Sequence, residues 1–121
     1  MKTCLVVDDS PVIRSLARRL VEARGIPVRE AADGAQALAA CKEEMPDLIL
    51  LDWRMPVMNG LEALSKLRLM PGGDHPKVLV CSVETSPDLI RQALEAGADE
   101  YVMKPFDGEI LASKITLAGV A

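Results

Sequence analysis

The segment LILLDWRMPVMNG, residues 48–60, combines an apolar run with an abrupt polar end. Residues 48–51 are all apolar, and Asp52 follows them directly. Such a run is typical of a strand that is buried on both faces, as in a parallel sheet covered by helices. A carboxylate that ends such a strand lies at the edge of the sheet where open parallel sheets place their chemistry. The segment therefore predicts a fold class and the position of a site.

The rest of the chain alternates between short apolar runs and helical patterns. The predicted strands cover residues 3–7, 27–32, 47–51, 77–81 and 99–103. Helical spacing and capping residues predict helices that begin at Pro11, Gly34, Gly60, Pro87 and Phe106, and that end near Gly25, Met45, Arg68, Gly97 and Leu117. Five alternating strands and helices predict an α/β fold with a parallel sheet between two layers of helices.

Length and composition limit the classes of protein to consider. We expect residues 1–121 to form a single domain without an output domain, because 121 residues fit one domain. A net charge of −4 without a basic stripe argues against direct nucleic-acid binding. The sequence shows neither an apolar stretch of membrane-spanning length nor a signal peptide, so we expect a cytoplasmic protein that does not bind membranes.

The cysteines are not arranged for a metal site. Cys4, Cys41 and Cys81 are far apart, and two of them lie within apolar runs. The sequence contains no CxxC motif and a single histidine, His75, so a zinc site is not expected. These residues are predicted to be buried, reduced thiols.

Polar residues follow the predicted strands at the same edge of the sheet. They are Asp8 and Asp9 after the first strand, Asp52 after the third, Ser82 after the fourth and Lys104 after the fifth. Three neighbouring acids raise one another's pKa unless a cation lies between them, and a hard divalent ion such as Mg²⁺ suits carboxylate ligands. The lysine and the serine would stabilise a tetrahedral anionic group on one acid. The pattern predicts a site for Mg²⁺ and a tetrahedral anionic group at this edge.

These residues, together with DWRMPVMNG at residues 52–60, resemble the receiver domain of two-component response regulators over essentially the whole chain. The resemblance implies a flavodoxin-like, doubly wound sheet of order 2-1-3-4-5 with five flanking helices. It also implies a phosphorylation-activated switch rather than an enzyme with an external substrate. The phosphoryl donor would be a histidine kinase or a histidine phosphotransfer protein, and the signal would leave by protein binding or by onward phosphotransfer.

The resemblance assigns the acceptor and the metal ligands. Asp52 matches the phosphorylated residue. Asp9, Asp52 and the backbone carbonyl of Arg54 would bind Mg²⁺ directly, whereas Asp8 would act through a water molecule.

The resemblance also assigns the residues that respond to phosphorylation. Lys104 would pair with the phosphoryl oxygens, Ser82 would donate a hydrogen bond to them, and Tyr101 matches the aromatic switch residue. The target protein, which is unknown, would bind the face formed by helix 4, strand 5 and helix 5, approximately residues 88–95, Tyr101 and residues 106–115.

Two features are particular to this sequence. Arg54 and Glu84 each lie two residues after a site residue, and we expect them to form an ion pair that tunes loss of the phosphoryl group. A second group of charges, Arg14, Arg18 and Arg19, lies on the polar side of the first helix. It is either a docking surface for the phosphodonor or a solvated helix face.

Three other functions remain open. The chain could be the receiver part of a longer response regulator with a DNA-binding or enzymatic output domain. A Mg²⁺-dependent phosphohydrolase with an aspartyl intermediate uses similar groups, but it usually has an acid where Arg54 stands and needs a substrate-covering cap. A degenerate receiver that signals without phosphorylation is disfavoured by the intact set of acids.

Overall fold

A computed structural model describes residues 2–83 and 86–120 of the chain. The strands are β1 (Cys4–Val7), β2 (Val28–Ala31), β3 (Leu48–Asp52), β4 (Lys77–Ser82) and β5 (Glu100–Met103). The helices are α1 (Pro11–Glu22), α2 (Gly34–Glu43), α3 (Gly60–Leu69), α4 (Pro87–Glu95) and α5 (Gly108–Leu117). All ten predicted elements are present in the predicted order, and most of their ends differ from the prediction by one to three residues.

The five strands form one parallel sheet of order β2-β1-β3-β4-β5, as predicted. All five residues of the central strand β3 are buried. The register pairs Val7 with Leu51, and Asp52 with Cys81. Residues that follow the strands therefore meet at one edge, which we call the carboxyl end of the sheet; the opposite edge is its amino end.

Two apolar layers cover the sheet, because successive residues of each strand face opposite sides. Leu5 and Val7 pack with α2, α3 and α4, whereas Cys4 and Val6 pack with α1 and α5. Both layers are mainly aliphatic. Trp53 is the aromatic residue that lies within the core, in the layer beneath α2, α3 and α4.

Side-chain caps determine where the helices begin, and they place these starts at the carboxyl end of the sheet. Ser10, Asp33, Asn59 and Ser86 each accept a hydrogen bond from a backbone N–H in the first turn of the following helix. The predicted start of the last helix at Phe106 is wrong by two residues. Asp107 caps α5 by accepting from the N–H groups of Glu109 and Ile110, so the helix begins at Gly108.

The cysteines are buried thiols, as the sequence predicted. Cys4, Cys41 and Cys81 are free and buried, and burial raises the pKa of each thiol. Within residues 2–83 and 86–120, none of the helices combines the length and the apolar character that crossing a bilayer would require.

Candidate functional site

A cleft of about 400 Å³ opens at the carboxyl end of the sheet. Its lining residues are Asp8, Asp9, Ser10, Ile13, Asp52, Arg54, Ser82, Val83, Lys104 and Pro105. The structure thus brings together the acids, the serine and the lysine that the sequence placed after four separate strands. The parallel register produces this convergence, since the strands end level with one another.

Three carboxylates form the floor and the rim of the cleft. Asp8 and Asp52 are only 3% and 5% exposed, whereas Asp9 is exposed. One carboxylate oxygen from each lies within 4.8 Å of the others, so the three together could hold a metal ion. An all-oxygen, anionic set of this kind suits a hard divalent cation better than a soft one.

Lys104 lies between the two buried acids. Its Nζ atom is 2.5 Å from Oδ2 of Asp8 and 3.0 Å from Oδ1 of Asp52. Burial favours the neutral amine, but the hydrogen bonds to the two carboxylates outweigh it and raise the pKa of Lys104. The ammonium is therefore a fixed positive charge beside Asp52.

Burial dominates the electrostatics of Asp52. It raises the pKa of Asp52 from 3.8 to about 6; Asp8 and Asp9 act in the same direction, and the hydrogen bond from Lys104 opposes them. With all three acids ionised, three negative charges face one ammonium. The remaining two charges match a divalent cation, which would also favour the ionised form of Asp52.

Asp8 is held by its main chain as well as by its carboxylate. The N–H of Ser10 donates to Oδ1 of Asp8 at 2.9 Å, and the N–H of Asp8 donates to the carbonyl oxygen of Ala31 at 3.1 Å. Arg14 donates from its guanidinium to the carbonyl oxygen of Asp8 at 2.7 Å and also pairs with Glu30. The sequence did not reveal this contact, because nothing in the spacing of Asp8 and Arg14 indicates which atom the arginine reaches.

Ser82 and Tyr101 are on neighbouring strands. Ser82 is buried at the end of β4, and its carbonyl oxygen accepts from the N–H of Lys104 at 2.9 Å. Tyr101 lies on the edge strand β5, half-buried against the core layer beneath α2, α3 and α4. The movement that the family resemblance implies for these two side chains stays a prediction.

Of the charged residues that are particular to this sequence, the structure describes the arginines but not the glutamate. Arg54 is exposed at the rim of the cleft and also lines a neighbouring groove of about 490 Å³ beside α4. Its predicted partner Glu84 lies outside the described residues. Of the arginines of α1, Arg14 and Arg18 form ion pairs with Glu30, whereas Arg19 is exposed.

Comparisons with known proteins agree with this geometry. The family model of the response regulator receiver domain matches residues 4–116. The chain is 36% identical over 105 residues to the chemotaxis protein CheY of Halobacterium salinarum, which covers 87% of this chain and 86% of that protein. It is 38% identical over 111 residues to the DNA-binding response regulator MtrA of Mycolicibacterium smegmatis, which covers 92% of this chain but only 47% of the relative.

Solved structures of receiver proteins also match the fold of this chain. The chemotaxis protein CheY4 of Vibrio cholerae superposes with a TM-score of 0.91 at 35% sequence identity, and the match covers 100% of this chain and 99% of that chain. The described fold is therefore shared along its full length with that chemotaxis protein. The chain spans less than half of the length of several other curated relatives, among them PrrA of Mycobacterium tuberculosis at 44%.

Proposed function

The chain belongs to the response regulator receiver domain family, and from this membership we propose that it is a phosphorylation-dependent switch of a two-component system. The family is one of signalling switches rather than of classical enzymes. The observation that carries the proposal is the position of Asp52, buried in a cleft beside two further acids and in contact with Lys104. The proposed donor is a histidine kinase or a histidine phosphotransfer protein, and we place this exchange in the cytoplasm.

Asp52 is the proposed nucleophile. One carboxylate oxygen attacks the phosphorus atom of a phosphohistidine, the P–N bond breaks, and an acyl phosphate forms on Asp52 while the histidine leaves. The ammonium of Lys104, 3.0 Å from Asp52, is positioned to neutralise charge on the phosphoryl oxygens. The transfer adds charge at a buried site, so neighbouring groups must respond to it.

The acids are the proposed ligands of Mg²⁺. Asp9, Asp52 and the backbone carbonyl of Arg54 would hold the ion, and Asp8 would contribute through a water molecule. When bound, the ion would supply positive charge opposite the phosphoryl oxygens. The three carboxylates within 4.8 Å of one another support this assignment.

Ser82 and Tyr101 are the proposed link to the rest of the molecule. Ser82 would donate a hydrogen bond to the phosphoryl group, and Tyr101 would then move inward. The output surface would be α4, β5 and α5, where Leu94, Met103 and Ile110 are exposed apolar side chains that suit a protein partner. We propose that Arg54 at the rim, with Glu84, tunes the lifetime of the phosphoryl group.

A second candidate is the receiver part of a longer response regulator. The observation that favours it is the length of relatives such as the DNA-binding response regulator MtrA, of which this chain spans 47%. In that case phosphorylation of Asp52 would act on an output domain instead of on a separate target. The chemistry at the cleft would be the same.

The acceptor can be tested with a small-molecule phosphodonor. Wild type, incubated with acetyl phosphate and Mg²⁺, is expected to gain the mass of one phosphoryl group, and the gain should disappear when Mg²⁺ is removed with a chelator. Asp52→Asn should gain no mass, because an amide is not a nucleophile for this transfer. Asp74→Asn is a matched control, since Asp74 is an exposed acid in the loop before β4. An equally phosphorylated Asp52→Asn protein would refute the assignment of the acceptor.

A further inference from the structure

Arg14 joins the edge of the sheet to the backbone of the acidic cleft. Its guanidinium donates to the carbonyl oxygen of Asp8 at 2.7 Å, and its Nε atom donates to Oε1 of Glu30 at 3.0 Å. The Arg14 side chain is only 18% exposed, so these contacts are partly shielded from water. Glu30 lies on the edge strand β2, and the arginine therefore connects that strand to the junction between β1 and α1.

Glu30 is a well-anchored partner. Arg18, one turn further along α1, donates to Oε2 of Glu30 at 2.7 Å, and it also pairs with Glu22. The hydrogen bond from Arg18 is the main cause that lowers the pKa of Glu30. Each oxygen of the Glu30 carboxylate thus faces a different arginine, which restricts the position that the Arg14 guanidinium can take.

The carbonyl oxygen that Arg14 binds belongs to the peptide group that joins Asp8 to Asp9. Rotation of that peptide group would redirect the side chain of Asp9 relative to the cleft. The Asp8 carboxylate is held separately by Ser10 and Lys104. Asp9 is exposed, so its direction depends more strongly on the main chain that carries it.

We propose that Arg14 is a positioning residue for the divalent-cation site: it fixes the Asp8–Asp9 peptide and thereby the direction of the Asp9 carboxylate, with Glu30 as its anchor. This inference rests on the cation site of the proposed function. Positioning and simple electrostatics predict opposite effects. A guanidinium close to the cleft repels a divalent cation, so its loss would tighten binding if charge alone mattered, whereas loss of positioning would weaken binding.

The test is the affinity of the full chain for Mg²⁺, measured by isothermal titration calorimetry without any phosphodonor. Arg14→Gln is expected to weaken the affinity about tenfold, as the loss of an outer-sphere contact does at other metal sites. Arg14→Lys keeps the charge but lacks the planar fork that reaches both partners, and its affinity should fall between wild type and Arg14→Gln. Arg19→Gln removes the same charge from an exposed position of the same helix and should stay within about twofold of wild type.

The free energy of unfolding without Mg²⁺ separates positioning from a purely structural role. If Arg14→Gln loses stability while its Mg²⁺ affinity is unchanged, or if the affinity becomes tighter, the inference is overturned. Should Arg14→Gln fail to fold, the comparison of Arg14→Lys with Arg19→Gln gives the same test. A wild-type protein that binds no Mg²⁺ would refute the proposed cation site itself, and the positioning role with it.

Discussion

The acids at the two ends of the sheet have opposite electrostatic surroundings. At the amino end, Asp99 accepts from the N–H of Val78 at 2.8 Å and from the guanidinium of Arg68 at 3.2 Å. At the carboxyl end, Asp52 shares the ammonium of Lys104 with a second buried carboxylate. The acid at the amino end has its own cation and a backbone donor, whereas those at the carboxyl end compete for one cation.

The pKa values of one acid at each end, Asp47 and Asp52, are shifted in opposite directions. At the amino end, the hydrogen bond with His75 is the main cause that lowers the pKa of Asp47; burial opposes it, and a hydrogen bond from the N–H of Thr3 adds to the lowering. At the carboxyl end, burial raises the pKa of Asp52 to about 6. The charge at the amino end stabilises the fold, whereas the charge at the carboxyl end destabilises it and is available for binding and chemistry.

The largest effect is expected from Arg68, at the amino end. Its guanidinium donates to the carbonyl oxygens of Gly73, Pro76 and Gly97 and to Asp99, and its side chain is only 16% exposed. Arg68→Ala removes the donor of the three carbonyl oxygens and the cation that pairs with Asp99, which keeps its hydrogen bond from the N–H of Val78. We therefore expect the free energy of unfolding to fall by about 3 kcal/mol. Urea denaturation followed by circular dichroism measures this change.

Two further variants serve as comparisons for the stability loss of Arg68→Ala. Arg68→Lys keeps a charge but has fewer donors, and should recover part of the loss. Arg91→Ala removes an exposed arginine whose i,i+3 partner Asp88 is also exposed, and should change stability by less than about 0.5 kcal/mol. A loss below about 1 kcal/mol for Arg68→Ala would show that the amino end is not the stabilising end that its contacts indicate.

A smaller effect of opposite sign is expected at Asp52. Folding raises its pKa, so the folded state binds a proton more tightly than the unfolded state, and stability decreases as pH rises from about 4 to about 6. Asp52→Asn removes this dependence. Without Mg²⁺, the variant should gain about 1–2 kcal/mol over wild type at pH 7, since the weaker hydrogen bond from Lys104 to a neutral amide oxygen offsets part of the relief. The advantage should shrink towards pH 4.

Asp47→Asn is the matched variant at the amino end. Because the pKa of Asp47 is lowered, its contribution is present above pH 4 and is lost as pH falls through the lowered pKa. The variant should lose about 1 kcal/mol at pH 7. Unfolding curves at several pH values test both residues together. If both substitutions change stability with the same sign at pH 7, the contrast between the two ends does not hold.

The sequence predicts the carboxyl end better than the amino end. The position of Asp52 could be predicted because a strand that is apolar on both faces lies inside a parallel sheet and ends at its edge. Asp8 lies beside it because Val7 and Leu51, the residues that precede the two acids, are paired in register. The contacts of Arg68 and Arg14 could not be predicted, because they join atoms of distant elements and depend on side-chain directions that periodicity does not encode. The predicted start of α5 at Phe106 is wrong because the side chain of Asp107 caps the helix and sets its first residue at Gly108.

The two ends also differ in which residue types adopt a positive φ. The smallest predicted effect tests whether this difference strains the backbone. Near the amino end, four glycines after helix ends have positive φ: Gly25, Gly72, Gly97 and Gly119. In the loop after Asp52 the residue with positive φ is Val57, at 69° and 83% exposed. A β-branched side chain is strained there, whereas asparagine adopts this region readily. Val57→Asn should therefore raise the free energy of unfolding by up to about 1 kcal/mol in urea.

The control for this substitution is Val83→Asn, which removes an exposed valine at the same end of the sheet without a positive φ. It should give no comparable gain. An equal gain in both variants would assign the effect to the removal of exposed apolar surface instead of to relief of the backbone. A gain confined to Val57→Asn would mean that the carboxyl end carries backbone strain as well as unbalanced charge, both of them beside the residue proposed to accept the phosphoryl group.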